Sequence, residues 1–110
     1  GRTDEAREAV RKAILLQPGQ PLAHLGLARA MSAGRDYETA LRSLDEAGTL
    51  APQNEAVPYQ KMIALRSLGR LAEARTAQAV FQKLKAERER TVTDIRTRLK
   101  GMAPAESDAR

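Results

Sequence analysis

The chain has 110 residues, 42% hydrophobic but only 3% aromatic, with no Cys, no Trp and a formal net charge of +5. Without cysteine there are no disulfides, no thiol chemistry and no Cys-based zinc sites, and no run of about 18 apolar residues is present to span a membrane. The length fits one domain at most, and the abundance of Ala, Leu, Arg and Glu favours close-packed helices.

Residues 2–16 read as a first helix, with Ala6, Ala9, Val10, Ala13, Ile14 and Leu16 at helical spacing. It should stop before Pro18-Gly19. Pro21 suits the first turn of a second helix, expected over 21–33. After the turn Gly34-Arg35-Asp36, Asp36 is placed to cap a third helix over 37–50. Pro52-Gln53-Asn54 repeats the break, with Asn54 as cap of a fourth helix over 55–68 that Gly69 ends. From Leu71 no Pro or Gly occurs until Gly101, so a long last helix is expected, followed by a polar, disordered tail over 103–110. Short turns make consecutive helices antiparallel, giving hairpins 21–33 with 37–50 and 55–68 with 71–85. The first helix lacks a hairpin partner, as expected of a fragment of a longer protein, and, left exposed, it offers self-association as an alternative role.

Ala6, Ala40 and Ala74 are 34 residues apart, and Leu16, Leu50 and Leu84, then Gly1, Arg35 and Gly69, keep the same step. A fixed period of this size marks a repeat array whose units bury their apolar faces against their neighbours. The residues resemble the tetratricopeptide repeat (TPR). In Pro21–Asn54 the resemblance rests on Ala28 in the small-residue slot of the first helix, Asp36-Tyr37 at the turn, Ala40, Leu44 and Ala47 in the second helix, and closing Pro52. Residues 55–86 match more loosely, through Leu65, Gly69, Glu73, Ala74 and Phe81, and residues 1–20 match the second half of a unit through Glu5, Ala6, Ala13 and Pro18. His24 and Pro58 stand where the family most often has Trp, Lys61-Met62 replace its Leu-Gly pair, and Ala86 stands where a closing proline would fall. The resemblance implies an all-α fold, an α-solenoid of antiparallel hairpins forming a right-handed superhelix, with an extended C-terminal helix whose segment 87–102 continues or caps the array.

The resemblance also implies a non-catalytic protein-interaction scaffold that holds a partner segment in a concave groove lined by the first helix of each hairpin. Carried onto this chain, the groove residues are Leu22, Leu25, Gly26, Arg29 and Ser32, then Ala56, Tyr59, Gln60, Ile63 and Arg66. Arg offers a planar donor fork and Tyr a large amphipathic ring, which makes Arg29, Arg66 and Tyr59 the leading contributors. A carboxylate clamp of the kind known in the family needs asparagines, and the single Asn54 lies in a linker.

A second candidate surface is the stripe Phe81, Leu84, Val92, Ile95 and Leu99, which either caps the last hairpin or pairs with another helix, including that of a second copy. Residues 1–54 carry seven basic and seven acidic side chains, whereas residues 55–110 carry twelve and seven. That excess raises RNA binding as an alternative, against which stand the scarcity of aromatics and the interspersed acids. The lone His24 reads as structural, and no phosphate loop, nucleophile elbow or His-Glu zinc helix occurs. No cofactor, metal, small-molecule substrate or enzymatic activity is expected. Arg outnumbers Lys by 14 to 5, a bias expected of a GC-rich bacterial source.

Overall fold

The computed structural model describes the backbone of residues 2–108 and the side chains of residues 4–102. The described residues form five helices and no strand: α1 (Arg2–Leu16), α2 (Pro21–Ala33), α3 (Tyr37–Leu50), α4 (Ala56–Ser67) and α5 (Leu71–Asp108). The first four follow the expected boundaries to within a residue.

Each turn has a chemical cause. At the α1–α2 turn the buried His24 donates from Nε2 to the Pro18 carbonyl at 2.9 Å, and Pro21 opens α2 where no backbone N–H is required. The only histidine therefore fastens a turn. At the α2–α3 turn the Asp36 carboxylate accepts from the Thr39 N–H at 3.3 Å. Before α4, whose N-cap position is Glu55, the Asn54 Oδ1 accepts from the Ala56 N–H two residues on at 2.9 Å. Pro58 is buried in the first turn of α4, where its missing donor removes no helical bond.

Helices α2 and α4 end alike. The Asp36 N–H reaches the Met31 carbonyl at 2.8 Å and the Arg35 N–H reaches that of Ser32 at 3.0 Å. One period later the Arg70 N–H reaches Leu65 at 2.9 Å and the Gly69 N–H reaches Arg66 at 3.0 Å. Both are Schellman closures, which need a left-handed residue. Arg35 adopts φ 64° and Gly69 φ 75°. Gly1, in step with them, lies outside the described residues.

Each helix packs against its neighbours in sequence, and α2 also touches α4, so the hairpins stack as a solenoid. Met31 and Leu44 are the largest fully buried side chains, surrounded by Ala28, Ala40, Ala47 and Ala64 at 0% exposure. Alanines at these crossings let the backbones approach closely enough for Met31 and Leu44 to fill the space between them. Val10 and Ile14 bring α1 onto the same core.

The last helix departs from expectation at its far end. It passes Gly101 and Pro104 to Asp108, whereas the sequence placed a disordered tail from residue 103; Ala109 and Arg110 of that tail lie outside the described residues. Ala103, Ala105 and Glu106 are good helix formers, and extending an existing helix costs far less than starting one. The segment 87–102, expected either to continue the helix or to cap the array, is part of the single helix α5, with every side chain from Arg88 to Met102 exposed. The Cα radius of gyration is 18.9 Å, against about 13 Å for a compact chain of this length.

Candidate functional site

Two surfaces flank α4. The first is the face of α2 and α4 on which the groove is expected. Equivalent positions one period apart mark successive rungs: Leu22 with Ala56, Arg29 with Ile63, and Ser32 with Arg66. Tyr59 and Ile63 are exposed by 45% and 43%, Leu22 by 74%, and Arg29 and Arg66 are exposed. Ser32 and Gln60 are half-buried at the margin. Tyr59 is steadied from outside the groove by Phe81 of α5, the rings tilted at 50° with centroids 5.4 Å apart.

Two anticipated groove residues do not serve it. Leu25 is 3% exposed and belongs to the core, and a Cβ on Gly26 would meet Val10 of α1 at 3.8 Å. The side of α2 that carries Gly26 therefore faces α1. In the stripe of α5 expected either to cap the last hairpin or to pair with another helix, Leu84 is buried at 9% exposure and Phe81 is half-buried against Tyr59. Both belong to the α4–α5 contact.

The second surface was not anticipated. It is a cleft of about 600 Å³ between α3 and α5, floored by Val57, Pro58, Lys61 and Leu65 of α4. At 3.6 residues per turn, this floor lies roughly 150° around α4 from Tyr59, Ile63 and Arg66. The cleft exists because α3 and α5 make no backbone contact, so α4 alone bridges them. Its rims are charged but compensated. Lys61 pairs with Asp45 at 2.8 Å, while Arg70 reaches Glu38 at 3.5 Å and Glu73 through two bonds of 2.8 and 2.7 Å. The hydrogen bond from Arg70 holds the Glu73 carboxyl below its ordinary value of 4.5. Val80, 45% exposed, is the apolar residue at the cleft mouth. Small side chains at Gly48, Ala51 and Ala77 were the one sequence signal for this space, and they read equally well as close packing.

Chemically, the exposed face of α2 and α4 offers cations, a phenol and branched apolar side chains. Among the described residues no cluster of His, Asp or Glu has the arrangement of a metal site, and no helix is long and apolar enough to cross a membrane.

No protein-family model matches the chain. A search of curated proteins finds no match. Among solved structures the chain is similar to the type III secretion translocator chaperone SycD of Yersinia enterocolitica, crystallised as an alternative dimer. The TM-score is 0.77 at 24% identity, and the match covers 96% of this chain and 79% of that one. The likeness carries the architecture: an all-α, TPR-like solenoid of helical hairpins.

Proposed function

We propose that the chain is a non-catalytic scaffold of chaperone type that holds an extended segment of another protein along α2 and α4. The observation that carries this reading is the row of exposed Leu22, Arg29, Tyr59, Ile63 and Arg66 on successive rungs, with cations spaced between apolar side chains. The structural likeness to a secretion chaperone supports it. The bound segment should carry carboxylates for the two guanidinium forks and apolar side chains for Tyr59 and Ile63. Affinity should rest on these few anchors.

The test begins with a displayed peptide library selected on the immobilised wild-type chain, which should enrich sequences mixing acidic and apolar residues. Replacing Arg29 and Arg66 together with Ala removes two charge-assisted contacts, each worth about 1.5 kcal/mol or more, so the selected peptides should bind at least roughly 100-fold more weakly. Helicity by circular dichroism should not change. Unaltered affinity would remove the groove from the reading. The cleft supplies a second reading, in which the segment lies between α3 and α5. Val80→Asp separates the two, since only cleft binding should suffer from it.

A further inference from the structure

The apolar row of α5 is longer than the helix that covers it. Ala74, Ala77 and Leu84 are buried, Phe81 meets Tyr59 of α4, and Arg88 pairs with Glu55 at the start of α4. In steps of four and three the same row continues through Val92, Ile95, Leu99 and Met102, at 38%, 50%, 58% and 70% exposure. The seam therefore runs on after α4 has ended, and four apolar side chains stand in line with no helix across from them among the described residues. These positions follow the two-heptad spacing of a helix-pairing surface.

The charges beside the seam say what fits there. Arg96 follows Ile95 and Arg98 precedes Leu99, the two positions that border a helix–helix contact. From Arg88 to Met102 the segment holds five basic residues (Arg88, Arg90, Arg96, Arg98 and Lys100) and two acidic ones (Glu89 and Asp94). Asp94 reaches Arg98 at 3.1 Å in an exposed pair that a partner carboxylate can replace.

A second copy is a poor occupant. Antiparallel pairing that sets Val92 on Met102 and Ile95 on Leu99 also brings Arg96 against its own counterpart, and Arg98 likewise. Sliding by one heptad relieves this only by setting Leu99 on Arg88 and Met102 on Lys85, with the tip of the incoming helix driven into the start of α4. Parallel pairing requires the two α4 helices to occupy the same space.

We propose that the seam Val92–Met102 docks an amphipathic helix of a different protein, one whose apolar row is bordered by Glu or Asp. This contact is independent of the α2–α4 groove and continues the line of α4 along α5.

The probe is a labelled peptide of three heptads with Leu at the seam positions and Glu on both flanks, titrated into the full chain and followed by fluorescence anisotropy. It should bind at least about tenfold more tightly than the same peptide flanked by Lys. Arg96→Glu with Arg98→Glu should reverse that order. Ile95→Ser with Leu99→Ser should abolish binding without loss of helicity, since both side chains are exposed, and Arg29→Ala with Arg66→Ala should have no effect. Equal affinity for the two peptides, or binding that survives the serine pair, overturns the proposal. So does a wild-type dimer in sedimentation that Ile95→Ser dissolves, which would make the second copy the occupant. Co-sedimentation with phosphatidylserine vesicles that depends on Ile95, without preference between the peptides, would assign the seam to a membrane surface instead.

Discussion

The left-handed pair Arg35 and Gly69 shows how one residue type sets a local energy. Both close the same hydrogen-bonded motif one period apart, at φ 64° and 75°. For an L-residue that conformation costs about 1 kcal/mol, and for glycine nearly nothing. Arg35→Gly should therefore raise unfolding stability by about 0.5–1 kcal/mol, while Gly69→Ala should lower it by about 1 kcal/mol, both read by urea denaturation. Equal stability of all three chains would mean the closures carry no conformational strain. The sequence marked Gly69 as a helix end but not the left-handed turn at Arg35, because a repeat register says which residues correspond and nothing about their φ. The same limit explains Leu25 and Gly26. Apolar residues at Leu22, Leu25, Leu27, Ala28 and Met31 surround much of α2, so periodicity alone could not tell its groove side from its core side.

Helices begin and end here for reasons that were mostly readable. Asp36 was expected as the cap of α3, and its carboxylate accepts from Thr39. Hydrogen bonding from the Thr39 side chain and then from its N–H, aided by the nearby charges of Arg7 and Arg42, holds the Asp36 carboxyl below its ordinary 3.8. A lowered carboxyl stabilises the fold above its unfolded pKa, and the contribution fades as pH falls through the lower folded value. Asp36→Ala should then cost about 1 kcal/mol at neutral pH. Thermal melts across the acid range should show the gap from wild type narrowing below about pH 4. A constant gap would show that the charge plays no part in the cap. Ala86 in place of proline correctly announced a long last helix, and its passage beyond Gly101 and Pro104 was missed. Both residues are ordinary breakers, yet a helix already formed needs only one residue ordered per added step.

At the scale of the whole molecule, the order of hairpins followed from turn length and could be read directly. The cleft could not, since it depends on α3 and α5 failing to meet across α4, a distance no local pattern encodes. The unsupported length of α5 is likewise a global property. If it persists in solution, small-angle scattering should give a radius of gyration near 18.9 Å rather than the roughly 13 Å of a compact chain, and the smaller value would mean the helix folds back. A rigid α5 also fixes a separation. Phe81 touches the groove through Tyr59, and Val92, the near end of the seam, lies about 16 Å further along the same axis. A single polypeptide carrying both a groove segment and an acidic helix must then join them by at least roughly five extended residues. Above that threshold the second engagement becomes intramolecular, with millimolar effective concentration. Below it, the chain can hold one element or the other, and the length of a linker in the partner decides between grip and exclusion.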